Sequence, residues 1–371
     1  MRILVIADDI TGAAEMAGVA RRMGCRVGFS TLPQPFAGDE EVMVWATDTR
    51  SMGREEAVST TEALLDAVRR SGEVRLFKKT DSVLRGHVAA ELEVLMRLGY
   101  KRTLYLPANP SKGRCIVGGI YTIEGRPIAQ TLFRTDPEFP ARCSEVEGLV
   151  GGGARHVTNP AEPLQEGISI GESRTEEEVA AWIAVADPST LVAGAADAFK
   201  ALLTAEGYCE ATLEPFAGLG DRSTLIALGS TVRHDLSGEA FFLRNRVAER
   251  PMPDAVFEGG ASEAWIASCC TAEEPSLLVK IPQQVKIDGS KALYLRRTMA
   301  RCVAEAVRHR RPAELVIEGG ASAYAILEEL RWSDFTVADE IAPGVVRLHH
   351  AESGTHLTFK PGSYPWGAMF Q

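Results

Sequence analysis

Residues 77 to 86, FKKTDSVLRG, crowd Lys78, Lys79, Asp81, Ser82, Arg85 and Gly86 into ten positions directly after an apolar, strand-like run. Fixed cations at this density suit an anionic ligand, and a carboxylate among them suits a hydroxyl whose proton must be oriented or taken. Three more polar groups occur in the same setting. Asp8-Asp9, Asp48-Thr49-Arg50-Ser51, and Asn109 with Ser111, Lys112 and Arg114 each follow an apolar run. Lys79 and Asp81 are two apart, so they face the same way if the strand continues. A pair at ~4 Å interacts by about 4 kcal/mol at an effective dielectric of 20, enough to keep Asp81 ionised.

Four clusters can meet only if the preceding elements are strands that end on one rim. RILVIAD (2–8), CRVGFSTL (25–32), VMVWATD (42–48), a run ending near Lys79 and RTLYLPA (102–108) read as strands. Helical spacing falls between them, at about 12–23, 54–70 and 87–98; Val88, Leu92, Leu95 and Leu98 line one face of the last. This interleaving predicts an α/β fold with a largely parallel sheet, in which ligands bind beyond the carboxyl ends of the strands. From about 135 to 170 the pattern breaks into Pro, Gly and short polar runs, and a helix at about 175–186, the strand TLVAG (190–194) and another helix close the first domain. A second alternating unit runs from STLIALGS (223–230) through SLLVKIP (276–282), a helix at 289–310, ELVIEGG (314–320), a helix at 322–331 and terminal strands ending in LTFKPG. The expected organisation is a first domain over 1–213, a linker over 214–222 and a second domain over 223–371, each with a largely parallel sheet flanked by helices. The active-site cleft is expected between them. Each polar group also has an ordinary explanation: Asp8-Asp9 with Thr11, or Ser82, could cap a helix, and Arg50 or Lys112 alone could be a solvated loop charge. Four coincidences on one rim favour a site.

The remaining composition narrows the class. The chain has 371 residues, 45% hydrophobic and 24% charged, typical of a globular protein, with no apolar run near the ~20 residues that span a bilayer. Its first residues are already strand-like, without a signal-peptide pattern, so the cytoplasm is the expected compartment. A net charge of −10 argues against nucleic acid or an anionic membrane as partner, yet leaves room for a local cationic pocket. Seven cysteines without CxxC and seven histidines without HExxH give neither a disulfide framework nor a recognisable metal site. A homodimer is compatible with these features but not dictated by them.

The second domain offers weaker phosphate-binding geometry. Gly229-Ser230 and Glu318-Gly319-Gly320-Ala321-Ser322 each join an apolar strand to a helix, and glycine lets backbone N–H groups approach an anion. Lys360-Pro361-Gly362 could set a cation and an open backbone beside them. Neither GxxxxGK[ST] nor GxGxxG after the first strand is present.

Together these residues resemble the four-carbon acid sugar kinase family, whose members phosphorylate threonate, erythronate and related acids with ATP. The resemblance rests on IADDITGAAEMAG (6–18), TDTRS (47–51), KKTDSVLRG (78–86), PANPSKGRCIVGGIYTIEGRPIAQT (107–131), TDPEFP (135–140) and GAADAFKALL (194–203), in that order. It implies a sugar-acid-binding first domain and an ATP-binding second domain, with Mg2+ as the accompanying cation. Asp8, Asp9, Arg50, Ser82, Arg85 and Arg114 would bind the acid, and Arg50 and Arg85 are assigned its carboxylate. Lys79 and Asp81 are the expected catalytic pair, with Asp81 orienting or deprotonating the attacking hydroxyl and Asp8 or Asp9 as the alternative. Ser230, Gly319, Gly320, Ala321, Ser322, Lys360 and Gly362 would contact the nucleotide.

The chain departs from the family where Gly319-Gly320 is followed by Ala321-Ser322 instead of Asp-Thr, and at the loop after Lys360. These departures motivate a second reading, a non-catalytic sugar-acid-binding homologue with a degraded ATP site. A phosphohydrolase of the haloacid dehalogenase type is a third, disfavoured because its second Asp would stand at position 10, which is Ile.

Overall fold

A computed structural model describes residues 1–136, 139–229, 239–282, 289–360 and 366–370. The chain divides into two compact units, Met1–Thr212 and Leu213–Gln371.

The first unit opens with β1 (Arg2–Ala7), α1 (Ile10–Arg22), β2 (Val27–Ser30), β3 (Val42–Ala46), α2 (Arg54–Arg70), β4 (Val74–Lys79), α3 (Val88–Met96) and β5 (Arg102–Leu106). A small antiparallel sheet follows, of β6 (Arg114–Val117), β7 (Ile120–Ile123) and β8 (Arg126–Pro127). Then come α4 (Val146–Val150), β9 (Arg155–Val157), β10 (Gly167–Gly171), α5 (Glu176–Val185), β11 (Thr190–Gly194) and α6 (Ala196–Ala205). The main strands run in the order β2-β3-β1-β4-β11-β5-β10-β9, all parallel. The chain therefore builds outward from β1 in one direction, through β3 and β2, and in the other through β4. That reversal opens a crevice at the carboxyl ends of β1 and β4.

Parallel strands covered on both faces read as near-continuous apolar runs, and β1, β3 and β11 are buried along almost their whole length. Side-chain alternation splits them between two cores. Leu4, Ile6, Trp45, Leu76 and Tyr105 join Leu64, Val68, Leu92 and Leu95 on the α2–α3 face. Phe77 points the other way, its ring 5.0 Å from that of Phe199 in α6. The irregular stretch after residue 107 hides β6–β8 and the strand β10, because these strands are too short, or too rich in Gly, for a periodic signal.

The second unit contains β12 (Thr224–Leu228), α7 (Glu239–Arg244), β13 (Val247–Pro251), α8 (Asp254–Phe257), α9 (Glu263–Cys270), β14 (Ser276–Lys280), α10 (Gly289–Arg310), β15 (Glu314–Glu318), α11 (Gly320–Leu330), β16 (Asp334–Ala342), β17 (Val345–His349) and β18 (His356–Lys360). Its strands run β13-β14-β12-β15-β18-β17-β16, with the first five parallel and the last two joined antiparallel. The α10 helix packs against α9 and α11. A separate apolar group joins Ile226, Leu228 and Val316 to Trp366, Met369 and Phe370 near the end of the chain.

Phe77 is fully buried on the central strand. Replacing it by Ala should lower the unfolding free energy of the first unit by about 3–5 kcal/mol in urea titrations. An unchanged midpoint would mean that the Phe77–Phe199 contact does not hold α6 on the sheet.

Candidate functional site

In the first unit Ala46, Ala7 and Lys79 lie side by side in register at the ends of β3, β1 and β4. The residues that follow them, Thr47–Ser51, Asp8-Asp9 and Thr80–Arg85, consequently meet. Arg50 donates to Asp8 through both Nε (3.0 Å to Oδ2) and Nη2 (2.8 Å to Oδ1). The same Nη2 donates to Asp9 Oδ1 at 2.8 Å, and Nη1 lies 3.6 Å from Asp81 Oδ1. Arg85 grips Asp81 from the other side, with Nε 2.8 Å from Oδ2 and Nη2 3.2 Å from Oδ1, and its Nη1 reaches Asp136 at 3.3 Å. Asp9 also accepts from the Thr11 hydroxyl and, at 2.9 Å, from the Gly12 N–H, so it is the N-cap of α1 and a member of this cluster at once.

The sequence assigns Arg50 and Arg85 to an incoming carboxylate. In the structure their donors pair with Asp8, Asp9 and Asp81. A fork filled by protein carboxylates positions those carboxylates. Arg114 differs: its guanidinium donates to the neutral Ser82 hydroxyl, and among the described residues no carboxylate forms an ion pair with it, although its charge helps to hold Glu15 low. Ser82 does not cap α3, whose N-cap is His87. Its backbone carbonyl instead accepts from the Tyr121 hydroxyl, tying the small sheet to the rim.

Alternation sends the two adjacent lysines to opposite faces of β4. Lys78 turns toward α3 and pairs with Glu91 at 2.7 Å. Lys79 turns toward α1, donates to the Thr80 carbonyl at 2.7 Å and lies 3.6 Å from Glu15, which also pairs with Lys112. Asn109 and Ser111 meet α6: the Ser111 N–H (2.9 Å) and hydroxyl (2.7 Å) donate to Asp197, whose own N–H donates to the Asn109 side chain at 3.0 Å.

The sequence reading missed Glu15, Glu91, Asp136 and Asp197 as site neighbours. The available signal was an acid on the apolar face of a helical stretch, clearest for Glu91 in VAAELEVLM, which falls in step with Val88 and Leu95 while Glu93 faces outward.

Environment sets these carboxyls apart. Burial raises Asp8 above its ordinary value, despite the opposing pull of Arg50. Burial also works against ionisation at Asp9, but Arg50 and Lys79 prevail and hold it low. Asp81 is buried too, yet Arg50 and the Arg85 hydrogen bonds hold it far below the carboxylate range. Two loops carrying these residues also contain non-glycine residues in left-handed backbone, Asp48 (φ 52°) and Leu84 (φ 66°). Such conformations cost energy and persist where surrounding contacts over-determine them.

In the second unit Leu228, Glu318 and Lys360 lie in register at the ends of β12, β15 and β18. Gly229 leaves no space for a Cβ, which would run into Ser322, and Gly319 holds φ +97° directly before α11. No side chain caps that helix. Backbone can therefore approach an anion here, so the turn fits the phosphates of a nucleotide. Lys360 does not offer the free cation expected of it: it is buried, and its ammonium donates to Glu318. Ala321 is exposed on the first turn of α11, whereas Ser322 is buried against Gly229. Ser230 and Gly362 lie outside the described residues. Among the described residues no group of three or more His, Cys, Asp and Glu side chains is arranged to hold a metal. A cavity of about 470 Å³ lined by Arg308, Arg311, Trp332 and Glu352 sits at the opposite, amino-terminal end of β15 and β18, away from this rim.

The different proton affinities should be visible by carboxyl 13C NMR. Asp81 and Asp9 should remain ionised below the ordinary range, while Asp8 protonates above it. The stability contributed by Asp81 is then fully present above about pH 4 and lost only as pH falls through its depressed folded value. Equal titration of all three would contradict this account of the cluster.

Comparison with known proteins matches both halves of the chain. A family model described as a sugar-binding N-terminal domain matches residues 3–206, and one described as a nucleotide-binding C-terminal domain matches residues 262–364. A D-threonate kinase of Bordetella bronchiseptica is 25% identical over 370 residues, covering 92% of this chain and 88% of its own length. A 3-oxo-tetronate kinase of Brucella melitensis is 23% identical over 411 residues, covering 100% of this chain and 94% of its own. The fold is shared with a solved Salmonella typhimurium LT2 protein described as a tRNA synthase, at TM-score 0.77 and 18% identity, covering 100% of this chain and 97% of that one. With both halves matched in order, this chain belongs to the four-carbon acid sugar kinase family.

Proposed function

We propose that the protein transfers the terminal phosphoryl group of ATP to a hydroxyl of a four-carbon sugar acid: threonate, erythronate or an oxidised relative. The observation that carries this reading is the junction of Asp8, Asp9, Arg50, Asp81 and Arg85 at the switch point of the first sheet, with Arg114 beside it on Ser82. Named relatives act on such acids: D-threonate kinase, D-erythronate kinase and 3-oxo-tetronate kinase. ATP with Mg2+ supplies the transferable group and neutralises its charge. Mg2+ would be held mainly by the nucleotide's phosphates and water, since it needs only one or two protein carboxylates.

The chain's own residues supply alignment and charge. Arg114 is the guanidinium with a neutral partner, and it takes the acid's carboxylate bidentately, displacing only a hydroxyl contact. Asp81 is too weak a base to hold a proton at neutral pH, since efficient proton acceptors have pKa values near the working pH. It therefore orients the attacking hydroxyl by accepting its hydrogen bond. A loose phosphoryl-transfer transition state needs little more than that alignment. Lys79, between Thr80 and Glu15, adds positive charge close to Asp81. In the second unit the Gly319–Ser322 turn and the close Gly229–Ser322 contact let backbone meet the phosphates. The reading keeps the protein in the cytoplasm, where such acids and ATP are available. No described helix is long and apolar enough to cross a membrane.

The test is ADP release over a panel of sugar acids, with and without Mg2+. Activity on a four-carbon acid is expected; binding of the acid in calorimetry without ADP release would favour the non-catalytic reading. Replacing Asp81 by Asn should reduce kcat about 100-fold with a smaller change in KM. Arg114→Ala should raise the acid's KM about 10- to 100-fold, the effect of losing a charge-assisted hydrogen bond. Wild-type kinetics in either variant would remove that residue from the mechanism.

A further inference from the structure

We propose that Glu91 is a positioning residue that aims Arg50 at the acceptor rim, acting through the Thr49 hydroxyl. The inference rests on the reading of that rim as the sugar-acid site. Glu91 is the only carboxylate in α3 that is buried, 1% exposed, on a helix whose other buried residues are Val88, Ala89, Ala90, Leu92, Val94 and Leu95. Its Oε2 accepts from Lys78 Nζ at 2.7 Å and from Thr49 Oγ1 at 2.9 Å. Thr49 is itself completely buried and directly precedes Arg50.

The segment between β3 and α2 needs outside support. Asp48 sits at φ 52°, a conformation that costs energy for any residue other than glycine. Several contacts fix the segment: the Thr47 N–H (3.0 Å) and hydroxyl (2.9 Å) donate to the Ala7 carbonyl, the Arg50 N–H donates to the Asp8 carbonyl at 3.0 Å, Thr49 donates to Glu91 with its hydroxyl also 3.0 Å from that of Thr47, and the Met52 carbonyl lies 2.8 Å from His87 Nε2. The bonds to Ala7 and Asp8 join the segment to β1 and its continuation. Glu91 lies on α3, and with His87 at the N-cap of that helix it holds the loop from a different element, Glu91 beside Arg50 and His87 at Met52. Packing does not require this arrangement. A buried ion pair returns little net stability, and apolar residues of similar size would fill the α3–β4 contact at least as well. What apolar residues could not supply is an acceptor on α3 for the Thr49 hydroxyl, whose other neighbour, the Thr47 hydroxyl, belongs to the same loop. Loss of that bond lets the loop relax toward an unstrained backbone and rotates the Arg50 fork away from Asp8 and Asp9.

Thr49→Val keeps the shape and removes only the hydroxyl; Thr49→Ser restores it. Both are read in the full-length protein by steady-state kinetics and by hydrogen exchange of the Arg50 Nε–H in 15N spectra. Thr49→Val should raise the sugar acid's KM about tenfold, leave the KM for ATP unchanged and speed Nε–H exchange. Thr49→Ser should reverse both effects. Wild-type acid KM and wild-type exchange in Thr49→Val would overturn the proposal. If Thr49→Val is poorly folded, the charge-neutral double variant Lys78→Met, Glu91→Leu keeps the contact apolar and should show the same loosened Nε–H; an unchanged signal there also overturns it. A wild-type protein that phosphorylates no sugar acid defeats the proposed function, while the exchange measurement still decides the role of Glu91.

Discussion

Carboxylates from Asp8, Asp9 and Asp81 meet around the guanidinium of Arg50 at the carboxyl edge of one parallel sheet. Three like charges at these distances could not stay ionised together in a buried site without a cation among them. Arg suits that place because its planar fork presents five donors in fixed directions. Every other feature of the rim adjusts this balance. Arg85 and Lys79 add positive charge around Asp81, and burial, with the neighbouring Asp9 charge, moves Asp8 the other way. The result is a set of chemically identical groups with different proton affinities, which is the usual condition for assigning them different tasks.

Holding that arrangement requires several elements to agree. β1 and β4 supply the acids, the loop after β3 supplies Arg50, α1 and α3 supply Glu15 and Glu91, and the small sheet supplies Arg114. The strained residues Asp48 and Leu84 fall in the two loops that carry Arg50 and Arg85. Strain so placed is tolerated because the contacts on either side leave the loops few alternatives. The rim is thus rigid where charge is concentrated, as preorganised electrostatic sites need to be.

The second unit solves a different recognition problem by different means. Its rim presents backbone: Gly229 pressed against Ser322, Gly319 in a conformation other residues avoid, and a helix start without a side-chain cap. The nearby charges, Lys360 and Glu318, neutralise each other in the interior. Phosphate groups are well served by N–H donors at a helix start, which need no particular side chain. This explains how the turn can carry Ala321-Ser322 and remain compatible with a nucleotide.

Much of this was legible in the chain itself. Apolar runs alternating with helical spacing determined the α/β class, and the polar residues just beyond each run identified Asp8, Asp9, Arg50, Asp81 and Arg85 as neighbours. Local rules suffice there, because a parallel strand places whatever follows it on a common edge. The partners were not legible. Nothing in the spacing says that Arg50 faces Asp8 and not a ligand, that Lys78 and Lys79 serve opposite faces through Glu91 and Glu15, or that Lys360 is quenched by Glu318. Short or glycine-rich strands such as β6–β8 and β10 also escape detection, since a few residues carry too little periodicity. Sequence determined which chemical groups reach each rim; only the packed structure decided which charges cancel one another, because pairing depends on angles and distances between residues separated by dozens of positions.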